Sequence, residues 1–384
     1  MSSAWFEKAA PSFLDHLSSI RDHQVFVLYN ADVDGFVASY FIHRAVPSDV
    51  RLKSRAVWNY EFDFAWLLPM FSSAPTSNLI CVDIPIIQEP EVLHVLTQRH
   101  SILIYDHHVV PARSGINLEG VFYFNSRLYS GEESSQPASA FAAGIAAQAV
   151  RLRQNDFGIL ALGLIGDHSL GMYPDLVENL RKFSKEPIDP LNPWNSWLGR
   201  WSSKINAAFR AHPSVQPERM EETLIHAADN GSLSETLERF SEQFSLDDAV
   251  HLVDADVKRG LKIFESHSRV SLICRVLDLS TFSVGIVASL LATNGFATVI
   301  CLGFRTGSRI QFELRRADST HVDLTQLLTR QRKYFTPITS GGHPVAAGAL
   351  INASDEESFC TSLRRAFLEL EGEPHGPDSR RDSP

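Results

Sequence analysis

Four short stretches carry the chemistry that this sequence can do. They are Asn30-Ala31-Asp32-Val33-Asp34-Gly35, the lone Asp83, Tyr105-Asp106-His107-His108, and Gly166-Asp167-His168. Each follows an apolar run: Gln24 to Tyr29, Asn78 to Val82, Ser101 to Ile104 and Asp156 to Ile165. Carboxylate and imidazole together suit Mn²⁺, Fe²⁺ or Zn²⁺. Several carboxylates drawn to one place repel unless cations lie among them. Oxygen donors outnumber nitrogen donors here, which favours Mn²⁺ over Zn²⁺. Two such ions, about 3.5–4 Å apart, clamp the attacking and leaving oxygens of an in-line phosphoryl displacement. Plainer readings exist for each stretch alone. Asp is a good helix N-cap, which accounts for one carboxylate but does not require Asn-x-Asp-x-Asp-Gly. Asp106-His107-His108 alone reads as a polar strand end, and Asp167-His168 alone as surface residues after a helix.

The elements that must position these residues follow from hydrophobic period and punctuation. Gln24 to Tyr29, Asn78 to Val82, Ser101 to Ile104 and Val121 to Phe124 read as buried strands, with Arg55 to Tyr60 as a further candidate. Phe36 to Ala45, Glu89 to Arg99, Ser139 to Arg153 and Asp156 to Ile165 read as helices. The alternation predicts an α/β fold with an N-terminal doubly wound, mostly parallel sheet. Ligands collect outside the carboxyl ends of such strands. From Tyr173 to about Lys258 strand signals vanish, and a helical connector is expected, with helices at Trp194 to Arg210 and Met220 to Ala228.

A smaller C-terminal α/β domain is expected next. Its strands are Val270 to Leu277, Ala297 to Leu302 and Ser308 to Leu314, the last followed by Arg315-Arg316. Its helices are Phe282 to Thr293, closed by Asn294-Gly295, Asp323 to Arg332 and Asp355 to Glu369. The expected boundaries are 1–172, 173–258 and 259–371, with a disordered tail over 372–384 that is rich in Pro, Ser, Asp and Arg.

Composition narrows the class. The 384 residues suffice for two domains with cores of their own, and 44% hydrophobic with 21% charged residues describes a globular protein. No apolar run reaches ~18 residues, so no membrane span is expected. Met1 to Ile20 mixes Trp5, Phe6, Phe13 and Leu14 with charges and predicts an amphipathic helix in place of a signal peptide. The four cysteines contain no Cys-x-x-Cys; Cys81 and Cys301 sit in apolar runs as core residues, and a reducing cytoplasm fits. A net charge of −10 argues against general coating of nucleic acid. Gly303 to Tyr334 nevertheless concentrates Arg305, Arg309, Arg315, Arg316, Arg330, Arg332 and Lys333, which suits a short nucleic-acid strand or makes a solvated charged face.

Taken as a set, the motifs resemble the DHH phosphoesterase superfamily, RecJ-like branch. Asp-x-Asp-Gly, a lone Asp, Asp-His-His and Gly-x-x-Asp follow in the family's order. Gly341-Gly342-His343-Pro344-Val345-Ala346-Ala347-Gly348 is similar to the hallmark of the DHH-associated domain. Val284-Gly285-Ile286-Val287-Ala288-Ser289 resembles the branch's Gly-Ile-Val-Ala-Ser helix, and Ile205-Asn206-Ala207-Ala208-Phe209-Arg210 its Asn-Ala-x-x-Arg. The resemblance spans roughly Val25 to Ile351.

It implies two Mn²⁺ ions, with Mg²⁺ as the alternative. The implied ligands are Asn30, Asp32, Asp34, Asp83, His107 and Asp167, with Asp83 bridging. His108 would orient the site or assist proton transfer. Asp106 is either a support behind it or a residue at the metal's edge. Arg315, Arg316, Gly341, Gly342, His343 and Arg210 would bind substrate. The implied reaction is attack of a shared water or hydroxide on a phosphodiester, in a cleft between domains. Two positions depart from the pattern. The family often has His or Asp where Asn30 stands, which predicts looser binding of one ion; Phe209 replaces a Gly, which leaves that loop's role open.

The implied substrate is short single-stranded DNA or RNA degraded from an end. Cyclic dinucleotides or small nucleotides are the alternative within the same chemistry. A second copy of the chain is a candidate partner and a membrane is not. The alternative class is a non-catalytic nucleic-acid-binding subunit of a replication or repair assembly.

Overall fold

Alternate residues of a strand face opposite sides of its sheet, and the apolar runs of the N-terminal half are used in that way. Strand β1 (Gln24–Asn30) sends Val25, Val27 and Tyr29 into one core and Phe26 and Leu28 into another. Strand β3 (Ser77–Val82) divides Ile80 and Val82 from Leu79 and Cys81 in the same manner. The computed structural model describes residues 11, 13–15, 17, 24–47, 49–62, 64–72, 77–108, 119–127, 136–182, 186–211, 217–265, 270–336 and 339–372, the side chains at 60, 72, 218 and 343 excepted. Most of the expected N-terminal helix, and all of the expected tail beyond Gly372, lie outside those residues. Of that helix, Phe13 and Leu17 are described and buried against the first core.

The chain divides into Met1–Asp254 and Ala255–Pro384. In the first unit, β2 (Arg51–Val57), β4 (Ser101–Asp106) and β5 (Val121–Asn125) join β1 and β3 in a five-stranded sheet of order β2-β1-β3-β4-β5, every pair parallel. The order reverses between β1 and β3. Such a switch point opens a crevice at the carboxyl ends of the two strands.

One face carries α1 (Val33–Ala45), α4 (Ala138–Ala149) and α5 (Gln154–Gly166). The other carries α2 (Leu67–Ser72) and α3 (Pro90–Thr97). The helices that follow are α6 (Pro174–Arg181), α7 (Trp197–Arg210), α8 (Pro217–Asn230) and α9 (Leu233–Phe244). These occupy most of the stretch expected to be a connector, yet Ile205, Phe209, Leu224 and Phe240 join the first core.

The second unit begins within α10 (Leu246–Lys262). Its sheet has the order β6-β7-β8-β10-β9. Here β6 (Val270–Leu277) and β7 (Ala297–Thr306) are parallel, and β8 (Arg309–Arg316), β10 (Ala346–Asn352) and β9 (Thr339–His343) continue antiparallel. Helix α11 (Val284–Thr293) covers one face; α12 (Leu324–Gln331) and α13 (Glu356–Glu371) cover the other. Arg315 and Arg316, expected to follow a strand, lie inside β8. Cys274 is bonded to Cys360, a pairing outside the expectation of a reducing compartment; Cys81 and Cys301 are free and buried. No described helix is long and apolar enough to cross a membrane.

Candidate metal centre

The turn after β1 is shaped by one missing side chain. A Cβ on Gly35 would lie 2.5 Å from the Asn30 carbonyl oxygen, so only glycine lets α1 start this close to the strand end. Asp32 is the N-cap of α1: its Oδ1 accepts from Gly35 N at 2.9 Å. Its Oδ2 accepts from Asn30 Nδ2 at 2.7 Å, and the same Nδ2 reaches Asp83 Oδ2 at 3.3 Å. Asp34 turns toward a different helix. It accepts from Ala138 N at 2.9 Å, from Ser139 N at 3.2 Å and from Ser139 Oγ, capping α4. Thus one Asp of the pair is the N-cap expected from the plainer reading, and the other caps a second helix some hundred residues on. From outside the turn, Asn206 Oδ1 of α7 accepts from Val33 N at 3.0 Å.

Asp83 follows β3 in a left-handed conformation, φ +60°. Non-glycine residues seldom adopt it, and strain of this kind concentrates at functional sites. Its backbone N donates to Tyr105 O at 2.9 Å. Its Oδ2 takes the Asn30 hydrogen bond, while its buried Oδ1 has no hydrogen-bond partner and lies 3.0 Å from His107 Nε2. His107 Nε2 is in turn 3.9 Å from Asp167 Oδ1. Asp167 is the C-cap of α5, where the helix dipole disfavours a carboxylate. His168 beside it also has a positive φ, +56°.

Asp106 sits beneath the two imidazoles. Its Oδ1 accepts from His107 N at 2.9 Å, from His108 N at 3.2 Å and from His108 Nδ1 at 2.6 Å. This commits Nδ1 of His108 and leaves Nε2 to face outward chemistry. Two residues that sequence reasoning missed hold the segment from behind. Asn125 Nδ2 donates to His108 O at 3.0 Å, and Arg127 Nε donates to His107 O. Asn206 does the corresponding work for the first turn. The available signal was Phe124-Asn125-Ser126-Arg127, another apolar strand ending in polar residues, but without an acid to mark it.

The electrostatics show crowding. Burial, then Asp34, pushes Asp32 up to about 6. Burial, with the other acids, pushes Asp167 up to about 7 and Asp83 well above the carboxylate range. Asp34 is also raised, by burial, against the opposing pull of His107 and Ser139. For Asp106 burial pushes upward, but His108 and His107 together, with the hydrogen bonds from His108, hold the carboxyl below its ordinary value. Burial pushes His108 down, but Asp106, by charge and hydrogen bond, together with Asp83 raises it above its ordinary value.

Two sets of donors converge, Asp83 with His107 and His108, and Asp34 with His107 and Asp167; within each set the ligand atoms lie within 4.8 Å of one another. Asp32 stands outside both sets, its oxygens given to Gly35 and Asn30. A buried Asp83 Oδ1 without a hydrogen bond, beside His107 and with three other raised carboxylates around it, is the donor set a divalent cation would complete, and its oxygen-rich make-up fits Mn²⁺ or Mg²⁺.

In the second unit the Gly341–Gly348 motif is a hairpin, β9 and β10. Gly342 has φ +136°, and a Cβ there would come 2.5 Å from Ala346 O. Arg315, Ala346 and His343 occupy one cross-strand row, though the side chain of His343 lies outside the described residues. Arg315 donates Nε to Ser289 Oγ at 3.2 Å and Nη1 to Glu313 Oε2 at 3.2 Å and Leu314 O at 2.7 Å. The Gly-Ile-Val-Ala-Ser helix therefore holds this arginine. Arg316 turns its Nη1 to Thr320 O, and Gly341 is exposed. Arg210 closes α7 in the first unit, half-buried. Within the basic stretch, Arg305 is paired with Glu356 at 2.6 Å, so the local positive excess is smaller than the sequence suggests.

No family model matches the chain, and no curated sequence matches it. Solved structures do. RecJ in complex with Mn²⁺ from Thermus thermophilus is 13% identical, with a TM-score of 0.64, over 95% of this chain and 55% of that one. An exonuclease RecJ bound to manganese is 13% identical over 95% of both chains, with a TM-score of 0.58. CDC45 from Entamoeba histolytica is 11% identical over 94% of this chain and 98% of that one, with a TM-score of 0.51. This chain thus spans about half of the Thermus RecJ and has the length of the other two. The α/β sheet with helices on both faces, followed by a mixed-sheet unit, is the fold these proteins share.

Proposed function

From the premise that the chain has the two-domain fold of RecJ and the DHH superfamily, we propose that it is a metal-dependent phosphodiesterase. The observation that carries this reading is Asp83: buried, in a left-handed conformation, with one oxygen unpartnered beside His107. Asp34, Asp83, His107 and Asp167, with Asp32 as a further ligand, would hold two ions, Mn²⁺ or Mg²⁺, while Asn30 shapes the turn and His108 stands beside them as the proton carrier. When bound, the ions supply charge neutralisation at the phosphate and ready ionisation of water near neutral pH.

The chain's own residues do the rest. Asp106 holds His108 by Nδ1, so that Nε2 can carry a proton to the leaving oxygen. Arg315, held through Nε by Ser289 and through Nη1 by Glu313 and Leu314, keeps its Nη2 for a phosphate oxygen. His343 and Arg316 are the further candidates for that grip. The substrate we favour is short single-stranded DNA or RNA, taken from an end, with cyclic dinucleotides and small nucleotides next.

A second reading, a non-catalytic binding subunit, is favoured by Asn30. Its amide hydrogens point at Asp32 and Asp83, where an acidic ligand would offer an oxygen to a cation.

The deciding experiment offers end-labelled DNA and RNA oligomers of increasing length, and an aryl phosphodiester, to the protein with Mn²⁺. Shortening of oligomers from one end is expected. Asp83→Ala should abolish turnover while circular dichroism stays native. Normal Mn²⁺-dependent turnover by that variant would sink the assignment; Mn²⁺ uptake and hydrolysis both absent from the wild type would favour the binding subunit.

A further inference from the structure

The turn that carries Asp167 carries a second polar group. After α5 the chain passes through a short 3-10 turn, Leu170–Met172, to Tyr173, the N-cap residue of α6. The turn is pinned throughout: Ser169 N donates to Leu164 O at 2.8 Å, Met172 N to Ser169 O at 2.9 Å, and Tyr173 N to Leu170 O at 3.1 Å. The Tyr173 ring packs on the first core, and its hydroxyl oxygen is buried without a hydrogen-bond partner. A buried hydroxyl left unsatisfied destabilises the fold, so its retention calls for an explanation.

Its surroundings supply one. Besides burial, the charges that act on this phenol are the carboxylates of Asp34 and Asp167, two of the three residues in one of the converging donor sets. Both effects push the phenol up, so it stays a hydrogen-bond donor and not a base. Tyr105 feels both Tyr173 and Asp34, but its own hydroxyl is already spent on Gln136 O at 2.8 Å. Tyr40 spends its hydroxyl on Asp156 at 2.6 Å. Tyr173 thus carries a buried, uncommitted O–H on the hydrogen-bonded turn that begins at Asp167, six residues on from that member of a donor set.

We propose that the Tyr173 hydroxyl is a further residue of the active site, donating a hydrogen bond to a phosphate oxygen of the bound substrate. It rests on the phosphoesterase reading above. The donor adds no charge, so it answers the developing negative charge on phosphorus oxygens without competing with the cations. Fixed donors of this kind are worth most where charge grows in the transition state.

Tyr173→Phe removes the hydroxyl and keeps the ring. Tyr40→Phe, which also deletes a buried hydroxyl but away from the acidic pocket, is the control. Three quantities are measured for each: Mn²⁺ affinity by calorimetry, affinity for inorganic phosphate in saturating Mn²⁺, and kcat and KM on the aryl phosphodiester. For Tyr173→Phe, Mn²⁺ affinity should change less than threefold, phosphate should bind about tenfold more weakly, and kcat should fall ten- to a hundredfold. Tyr40→Phe should leave phosphate affinity unchanged. Unchanged phosphate affinity in Tyr173→Phe, or a loss no greater than in Tyr40→Phe, would overturn the inference. The phosphate measurement needs no turnover: a wild type that binds Mn²⁺ and phosphate but cleaves nothing would fail the enzymatic reading while Tyr173 was still tested. A wild type that takes up no Mn²⁺ would overturn both.

Discussion

The acids of this protein are held in a state that a metal ion should reverse. Asp32 lies at about 6 and Asp167 at about 7, both pushed up chiefly by burial, and Asp83 is raised further. Their unfolded value is 3.8. The folded, metal-free protein therefore holds protons that the unfolded chain has released, and stability is lost as pH rises from about 5 through 7. The raised His108 acts in the same direction but only above its ordinary 6.5, extending the loss to higher pH; the depressed Asp106 acts only below 3.8. Mn²⁺ must displace these protons, so binding should release more of them at pH 6 than at pH 8 and should be weaker at pH 6. Calorimetry in buffers of differing ionisation enthalpy measures the release directly. Equal proton release at both pH values would show that the carboxylates are ionised before the metal arrives. Without metal, the melting temperature should fall between pH 5.5 and 8; with saturating Mn²⁺ the slope should flatten or invert.

At the scale of elements, the site depends on turns whose shape is set by single residues. Gly35→Ala is the sharpest test, since the new methyl would lie 2.5 Å from Asn30 O. Alanine would otherwise favour a helix by about 1 kcal/mol, so destabilisation would mean that steric crowding wins. The expected outcome is a loss of about 1–3 kcal/mol in urea unfolding, together with at least tenfold weaker Mn²⁺ binding. A neutral or stabilised Gly35→Ala with native metal affinity would show that the turn can open freely.

This turn was legible in the sequence, because an apolar strand gave way abruptly to Asn-x-Asp-x-Asp-Gly. So were the other strand ends, for the same reason. Strand β8 was less so. Its Arg309, Gln311, Glu313 and Arg315 alternate with Ile310, Phe312 and Leu314, and the polar row placed Arg315 after the strand when it lies inside. Asn125, Arg127 and Asn206 were not legible as supports, because each acts through a backbone group 17 to 173 residues away. Such pairings are written in the fold and not in local spacing.

At the scale of the whole molecule, each unit has its own sheet and its own pair of cores, and the two should answer separately to a perturbation confined to one. The Cys274–Cys360 bond is such a perturbation. It joins β6 to α13 across 86 residues, wholly within the second unit. Closing a loop of that length stabilises a fold by roughly 2–5 kcal/mol. All six tryptophans (Trp5, Trp58, Trp66, Trp194, Trp197 and Trp201) precede residue 254, so tryptophan fluorescence reports on the first unit alone, whereas circular dichroism reports on both. Urea unfolding with and without a phosphine reductant should therefore separate the probes. The circular dichroism curve should gain an early transition on reduction, while the fluorescence midpoint stays fixed. Cys360→Ser should reproduce the reduced curve without reductant. Mn²⁺ affinity should be the same in both forms, since every residue of the two donor sets lies in the first unit. A joint shift of both probes would mean that the units unfold as one cooperative body; no shift in either would mean that the bond contributes nothing to the fold it spans.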